Sequence, residues 1–290
     1  MSGLKITNVS KNYGDVQALK NVSVQFEKNK IYGLLGRNGA GKTTLLNIIT
    51  GKIFADEGSV LLDGEVIAEN DRVLSKIFMM SEKNYYPENM KVSEAFRWTG
   101  EFYPNFDADR ALKLSKRFGL NTGKKIKALS TGYCSIFKLI TSLCTNVPYV
   151  LLDEPVLGLD ANHRDLFYKV LIETYSENPA AYIISTHLID EVEKVVEDIV
   201  IIREGEIIRN ESRESLLSGY YCVSSCISDI DRYTAGKRVL GYETLGGLKT
   251  AYVEGVPDKK AIPSNIELSK VDLQTLFIQL TNQGGTGNES

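Results

Sequence analysis

The sequence predicts an α/β protein with a mixed sheet at its core, followed by a small α+β domain. Three observations predict this: a glycine-rich turn between a strand and a helix near residue 40, alternating strand and helix patterns over residues 148–210, and the loss of that alternation beyond residue 212. The length of 290 residues exceeds the usual ~100–200 per domain, which favours one large and one small domain. The hydrophobic fraction of 43% is typical of a chain that folds around a core.

Residues 4–67 are predicted to form short strands with one embedded helix. Asp63-Gly64 separates two apolar runs and predicts a hairpin turn. Residues 88–145 are predicted to be mostly helical, with helices near residues 92–103 and 107–118, the second ended by Gly119.

Residues 148–210 predict parallel strands with helices over their faces. Strands are expected at residues 149–152, 181–184 and 199–202, and helices at residues 161–176 and 188–195. The run Tyr149-Val150-Leu151-Leu152 is apolar throughout, as a strand buried on both faces requires. Glu204-Gly205 predicts a turn into a further strand at residues 206–209.

Residues 1–212 and 213–283 are predicted to form the large domain and the small accessory domain, joined around residues 211–218. The small domain is expected to close with an amphipathic helix near residues 271–281. The polar, glycine-rich residues 284–290 are expected to be a disordered tail. The sequence shows no internal repeat, so the large domain is expected once per chain.

Charge and cysteine content exclude some classes of protein. A net charge of −3 argues against a nucleic-acid binder. The four cysteines, Cys134, Cys144, Cys222 and Cys226, lack metal-ligand spacing, and a reduced cytosol fits them better than a Cys222–Cys226 disulfide. No apolar run approaches the ~20 residues that span a bilayer, and the N-terminus has no signal-peptide pattern. Any contact with a membrane is therefore expected to be made through a partner.

A phosphate-loop pattern occupies the glycine-rich turn: Gly36-Arg37-Asn38-Gly39-Ala40-Gly41-Lys42-Thr43-Thr44. It follows the apolar strand at residues 31–35 and opens a helix at residues 43–50. Glycines let backbone N–H groups converge on phosphate oxygens, and the helix N-terminus adds a favourable dipole. Lys42 is expected to neutralise the β- and γ-phosphates of ATP, and Thr43 to bind Mg²⁺. A dinucleotide fingerprint is excluded because Lys42-Thr43 follows the last glycine.

Two carboxylates end the apolar strand at residues 149–152. Asp153 and Glu154 fall at the edge of a parallel sheet where ligands bind. Asp153 is expected to hold Mg²⁺, directly or through water. Glu154 is expected to polarise the water that attacks the γ-phosphate.

The segment Leu129-Ser130-Thr131-Gly132-Tyr133 resembles the LSGGQ signature of ABC ATPases and retains Leu129, Ser130 and Gly132. Three further motifs follow the motif order of that family, listed here with their names: Tyr13 (adenine-stacking aromatic), Leu157-Gly158-Leu159-Asp160 (D-loop) and His187 (switch histidine). The resemblance covers residues 4–210. It implies a P-loop NTPase of ABC type, with an antiparallel β subdomain and a helical subdomain at about residues 88–145.

The resemblance implies a head-to-tail dimer of cassettes, identical or different, around two ATP molecules. Ser130 and Gly132 would then face the γ-phosphate held by the partner's Lys42, and Asp160 would lie at the dimer interface. His187 would contact the γ-phosphate and hold Glu154 in line. Transmembrane permease subunits are the other implied partners, which would place the chain at the cytoplasmic face of the cell membrane.

The chain departs from the family pattern at two positions. Glu82 aligns with the glutamine that ligates Mg²⁺ in the family; a carboxylate is also a Mg²⁺ ligand, but it adds negative charge near phosphate. Thr131 replaces a glycine and lacks its freedom at positive φ, so slower hydrolysis is expected. These departures leave open a regulatory cassette that binds ATP without turnover.

Eight aromatic and proline residues cluster between Glu82 and Phe106. In ABC cassettes this region forms a groove for a helix of the membrane subunit; the alternative is that these rings form the core of the helical subdomain. The chain resembles ATPases of the bacitracin-resistance, YtrB-like and phenol-soluble-modulin exporter group, which implies export of a peptide, drug or lipid-like molecule. The alternative of an ABC ATPase that acts on ribosomes or DNA lacks its usual tandem cassettes or long coiled coil.

Overall fold

The computed structural model describes residues 3–282, and the predicted tail at residues 284–290 lies outside this range. The strands are β1 Leu4–Tyr13, β2 Val16–Phe26, β3 Ile31–Leu35, β4 Glu57–Leu62, β5 Glu65–Val66, β6 Ile77–Met80, β7 Tyr149–Asp153, β8 Ala181–Thr186, β9 Asp198–Arg203, β10 Glu206–Ser212, β11 Tyr220–Cys226, β12 Val239–Leu245, β13 Leu248–Glu254 and β14 Glu267–Lys270. The helices are α1 Lys42–Ile49, α2 Asp71–Leu74, α3 Val92–Phe102, α4 Ala108–Arg117, α5 Thr131–Cys144, α6 Ala161–Glu177, α7 Ile189–Val192, α8 Arg213–Ser218, α9 Ile227–Thr234 and α10 Leu273–Asn282.

The central sheet has the strand order β10-β9-β3-β8-β7-β6. Its strands from β9 to β6 are parallel, and only β10 is antiparallel to its neighbour. Successive residues of β7 alternate between two hydrophobic cores: Tyr149 and Leu151 face one, Val150 and Leu152 the other. Both faces of the strand are covered, which explains its uninterrupted apolar sequence.

An antiparallel sheet, β2-β1-β4-β5, covers one face of the central sheet together with α1. The hairpin predicted at Asp63-Gly64 joins β4 to β5, and both turn residues have positive φ angles of 52° and 88°. Asparagine, aspartate and glycine tolerate this conformation best. The predicted hairpin is confirmed.

The helices predicted near residues 92–103 and 107–118 are α3 and α4. Asp107 caps α4 by accepting a hydrogen bond from the Arg110 N–H at 2.8 Å, and Gly119 follows the helix with a φ of 67°. The helix predicted at residues 188–195 is shorter than expected: only Ile189–Val192 is α-helical. After Val192 the chain forms a tighter turn, in which Val195 N–H donates a hydrogen bond to Val192 O. The next carbonyl, Glu193 O, accepts a hydrogen bond from the Arg213 side chain at 2.5 Å.

The C-terminal sheet, β12-β13-β11-β14, is antiparallel. Tyr221 and Val223 on one face pack with α9 in a small core, whereas Tyr220 and Cys222 on the other face belong to the main core beside the central sheet. Helix α10 adds its apolar side to the same main core. The C-terminal part therefore shares buried surface with the rest of the chain.

Among residues 3–282, no helix has both the length and the apolar character needed to cross a membrane.

Candidate nucleotide-binding site

The phosphate loop connects β3 to α1, as predicted, and its fold depends on glycine. Gly39 and Gly41 have φ angles of 80° and 107°, where other residues are strained. A Cβ on Gly36 would lie 2.7 Å from Ile202 O, and one on Gly41 would lie 2.6 Å from Ala18 O. The loop is thus held closely between β2 and β9, which fixes the direction of its N–H groups.

Lys42 is the first residue of α1 and its side chain is only 6% exposed. Its Nζ donates to Gly36 O at 2.7 Å and to Arg37 O at 3.3 Å, and it lies 3.6 Å from Glu154 Oε1. Burial lowers the pKa of this ammonium, and the nearby carboxylates of Glu154 and Asp153 oppose that shift. A buried cation with few partners is suited to bind phosphate oxygens.

Asp153 is the last residue of β7 and is only 5% exposed, and each of its carboxylate oxygens accepts a hydrogen bond. Thr43 Oγ1 donates to Asp153 Oδ2 at 2.9 Å, and Ser185 Oγ donates to Oδ1 at 2.9 Å. Burial raises the pKa of Asp153, although both hydrogen bonds pull it down. The structure therefore brings together Thr43 and Asp153, the two predicted metal ligands.

Glu154 and His187 lie at the ends of neighbouring strands and meet directly. His187 Nδ1 is 3.0 Å from Glu154 Oε1, and Thr186 Oγ1 donates to Glu154 Oε2 at 3.2 Å. Glu154 has a φ of 47°, uncommon for a residue with a Cβ, and its N–H donates to Ser185 O at 2.8 Å. Such backbone strain often marks a functional site, because the surroundings must hold it in place.

Two residues with supporting contacts, Ser185 and Thr186, are absent from the sequence-predicted site. Both are buried and lie at the end of β8, next to the end of β7. The signal that points to them is their place as hydroxyl residues after the apolar run 181–184, directly before His187. A buried hydroxyl needs a partner, and the two carboxylates supply it.

Glu82 is exposed in residues 81–86, which follow β6 and are named here the linking segment. It lines a cleft of about 340 Å³ together with Asp153, Glu154 and Thr131. The structure thus places Glu82 on the same cleft as the two predicted catalytic-site carboxylates. Lys138 of α5 also lines this cleft, and no sequence motif singles it out.

Ser130 and Gly132 lie at the N-terminal end of α5. Ser130 caps the helix, with its Oγ accepting a hydrogen bond from Tyr133 N–H at 3.3 Å. Gly132 packs against the D-loop, where an added Cβ would lie 2.9 Å from Gly158 O. Ser130 lines a surface pocket with Asn121 and Tyr133, not the carboxylate cleft. Leu129 and Thr131, on either side of Ser130, line the carboxylate cleft, but no phosphate-loop residue lines either pocket.

Asp160 caps α6 and pairs with the next histidine. Its Oδ1 accepts from His163 N–H at 2.9 Å, and its Oδ2 is 2.8 Å from His163 Nδ1. These hydrogen bonds hold the pKa of Asp160 below its usual value. The His163 ring also contacts Tyr133, with ring centroids 6.1 Å apart, so the D-loop and the start of α5 are connected.

The remaining predicted nucleotide contacts occupy the loop and the end of β1. Arg37, Asn38 and Gly39 are exposed, Ala40 is buried, and Thr44 is half-buried in the first turn of α1. Arg37 Nη1 donates to Asn282 Oδ1 of α10 at 3.3 Å, which places the last described residue beside the phosphate loop. Tyr13 is half-exposed at the end of β1, and Lys11 Nζ lies 5.8 Å from the centroid of its ring.

Comparison with known proteins agrees with this geometry. Residues 19–157 match the family model described as ABC transporter. The ABC transporter ATP-binding protein YtrB of Bacillus subtilis (strain 168) is 31% identical over 217 residues, which cover 75% of this chain and 74% of the relative. The lantibiotic transport ATP-binding protein SrtF of Streptococcus pyogenes is 34% identical over 214 residues, covering 71% and 89% of the two chains. Relatives of similar identity carry the names of arabinose import and tungstate uptake proteins.

The dimeric, ADP- and Pi-bound cassette MJ0796 is 25% identical to this chain and superposes with a TM-score of 0.64, covering 72% of this chain and 98% of that one. That structure represents a post-hydrolysis state. The shared motifs, the family match and these relatives lead to one conclusion: the chain belongs to the ABC transporter family, as an ATP-binding subunit with ATPase activity.

Proposed function

We propose that two copies of this cassette close head to tail around ATP and that closure drives a separate membrane subunit. One observation carries the proposal: Lys42, Glu154 and His187 form a connected cluster beside the phosphate loop, whereas Ser130 opens α5 in a surface pocket that no phosphate-loop residue lines. Each chain therefore holds two complementary halves of a site that it does not close by itself.

The residues at the cleft fit a magnesium ion. Mg²⁺ prefers hard oxygen ligands and retains several waters, so one or two protein ligands beside phosphates suffice. Thr43 Oγ1 and Asp153 Oδ2 lie 2.9 Å apart, so two such oxygen ligands are already close together. Thr43 and Asp153 would hold the ion, with Glu82 at the rim of the same cleft. Bound there, it would neutralise charge on the phosphate oxygens.

Glu154 is proposed as the base that orients and polarises the attacking water. Its carboxylate is fixed by Thr186 on one oxygen and by His187 on the other. His187 is exposed, so it is free to contact the γ-phosphate while it holds Glu154. Lys42 is proposed to exchange its present carbonyl partners for β- and γ-phosphate oxygens, where its charge offsets theirs.

The signature helix is proposed to supply the second half of the site in the partner. Ser130 is exposed and caps the N-terminus of α5, where its Oγ accepts a hydrogen bond from Tyr133 N–H. A helix N-terminus with a serine cap is a good anion site. Because the chain's own phosphate loop lies elsewhere, the anion it best fits is the γ-phosphate on a second cassette. Loss of that phosphate on hydrolysis would release the bridge between the two chains.

A docking groove for the membrane subunit is proposed between β6, the linking segment, α3 and α5. Its volume is about 510 Å³, and it is lined chiefly by apolar and aromatic side chains. Trp98 and Phe102 on its rim are 42% and 72% exposed. Exposed aromatic residues around a concave surface are typical of protein interfaces. Tyr86 and Phe96 each contact the buried ring of Phe137, so part of the aromatic cluster is core.

We further propose that the transported molecule is exported and is a peptide, a drug or a lipid-like compound. The support is similarity to the lantibiotic transport protein SrtF and to the exporter group named above. The ATP-driven closure proposed here is the same for import, so direction is tested separately. Inside-out vesicles that carry the complex should accumulate an exported compound with ATP; accumulation only in right-side-out vesicles would indicate import.

The substitution Glu154→Gln tests the proposed function most simply. The variant should bind ATP, and its rate of phosphate release should fall by about 10²–10⁴-fold, the usual effect of removing a positioned base. It should elute as a dimer on gel filtration with ATP and Mg²⁺, while Lys42→Ala should stay monomeric. A Glu154→Gln variant that remains monomeric would count against the sandwich. Equal turnover of the variant and the wild type would favour the alternative, a cassette that binds ATP without hydrolysis.

A further inference from the structure

Lys138 is a cation within the apolar part of α5. Its neighbours in sequence, Phe137 and Leu139, are fully buried, and its own side chain is half-buried. Its Nζ donates to Ser81 O and to Glu82 O, each at 2.9 Å. Burial lowers the pKa of this ammonium, while its interactions with Cys134 and Glu82 oppose the shift. The nucleotide chemistry described above gives this lysine no role.

The two carbonyls that Lys138 holds belong to the linking segment, which connects two functional surfaces. Glu82 lines the carboxylate cleft, and Tyr85 and Tyr86 line the docking groove. Lys138 lines both of these concave surfaces. It therefore stands between the proposed nucleotide site and the proposed surface for the membrane subunit.

The linking segment is ordered within itself but depends on α5 for its position. Ser81 Oγ donates to Lys83 O at 3.1 Å, and Asn84 Oδ1 accepts from Tyr86 N–H at 3.2 Å. These hydrogen bonds shape the segment into a turn. Two charge-assisted bonds from one ammonium join this turn to α5, and such bonds are stronger than neutral ones. Helix α5 itself begins at Ser130, the proposed contact with the partner's nucleotide.

We propose that Lys138 is a positioning residue, which ties the linking segment to α5 so that nucleotide binding at the carboxylate cleft changes the docking groove. This inference rests on the proposed function, because it requires ATP to bind beside Glu82 and Asp153. Lys138 is not expected to touch ATP. Its two hydrogen bonds hold main-chain atoms, so its loss should uncouple the two surfaces without removing the nucleotide site.

Trp98 provides a built-in reporter, because it is the only tryptophan in the sequence and lies on the docking groove. The experiment uses the full chain with Glu154→Gln, which slows hydrolysis, and records Trp98 emission as ATP and Mg²⁺ are added. Binding is measured in parallel by equilibrium dialysis of labelled ATP. With Lys138→Met, which keeps the apolar stem, ATP binding should stay within about twofold and the emission change should fall at least about fivefold, the lower end of usual coupling between sites.

Lys138→Arg, which keeps a cationic donor, should restore the emission change. Lys113→Met is the matched control, since Lys113 is an exposed lysine of α4. If Lys138→Met does not fold by circular dichroism, Lys138→Ala takes its place, because alanine is the best helix former. An equal emission change in parent and Lys138 variant overturns the proposal, as does a parent that binds ATP with unchanged emission. A parent that binds no ATP contradicts the proposed function itself, and this inference with it.

Discussion

The positions of single residues in the site depend on close backbone contacts and on buried charged groups. Sequence motifs predict Lys42, Asp153, Glu154 and His187, because each follows a recognisable strand or loop. They do not predict Lys138, whose role depends on carbonyls 56 and 57 residues away in sequence. The one local sign is a lysine inside an otherwise apolar helical run. Ser185 and Thr186 leave a weak signal, their place between an apolar run and His187, but the sequence does not show their carboxylate partners at the end of the neighbouring strand.

Gly132→Ala tests one such close approach. Alanine is favoured over glycine within a helix, but here its Cβ would lie 2.9 Å from Gly158 O and must displace the D-loop. We expect phosphate release to fall about 10- to 100-fold, the range that follows small misplacements in active sites. Gly100→Ala is the matched control: its Cβ meets only Phe106, at 3.9 Å, so it should raise the free energy of unfolding by about 0.5–1 kcal/mol. Unchanged turnover in Gly132→Ala would show that the approach is not needed.

Secondary-structure elements follow sequence patterns closely where a cap or a buried face defines them. The predicted strands at residues 149–152 and 181–184 are present and extend into polar residues, because Asp153 and Thr186 keep pairing with neighbouring strands. The helix at residues 188–195 was predicted too long, since its last turn tightens and Arg213, far along the chain, takes the Glu193 carbonyl. Such a distant contact leaves no local pattern.

Helix α6 provides the test at this scale, because Asp160 both caps it and is a proposed interface residue. Asp160→Ala should lower the melting temperature, and Asp160→Asn much less, since asparagine also caps helices well. The hydrogen bonds from His163 keep the folded-state pKa of Asp160 below its unfolded value. The carboxylate's contribution to stability is therefore present above its ordinary pKa and is lost as pH falls through the folded pKa.

Thermal unfolding of wild type and Asp160→Ala between pH 7 and pH 3 checks this. The gap between the two melting temperatures should narrow toward acid pH. A constant gap would mean that the charge of Asp160 adds nothing to the cap. If Asp160→Asn keeps stability but loses ATPase activity, the charge acts at the dimer interface.

At the scale of the whole molecule, the C-terminal part of the chain shares a hydrophobic core with the large domain. Leu276, Phe277 and Leu280 of α10 lie in the same hydrophobic core as Ile189 and Val192 of α7. The Gln274 amide, oriented with its nitrogen toward Asp190, donates to that carboxylate at 2.7 and 2.8 Å. The change of sequence character beyond residue 212 predicts a new sheet, but it does not reveal which face of that sheet is buried.

A truncation tests whether residues 213–282 behave as an accessory domain. Removal of these residues would expose the apolar side of α7 and of the central sheet's helical layer. We expect the full chain to unfold in a single transition and the fragment 1–212 to aggregate or to melt well below it. A soluble fragment with the melting temperature and ATPase activity of the full chain would establish an independent appendage.

Mixing two inactive variants tests the sandwich of ATP between two chains most directly. Lys42→Ala destroys the phosphate-binding half, and Ser130→Glu places a negative charge in the half that should meet the γ-phosphate. A mixed dimer joins the intact halves into one complete site, so two inactive proteins should recover up to about a quarter of wild-type phosphate release, since random pairing makes half the dimers mixed with one site of two intact. A mixture that stays inactive, or a Ser130→Glu variant with full activity by itself, would contradict the shared site.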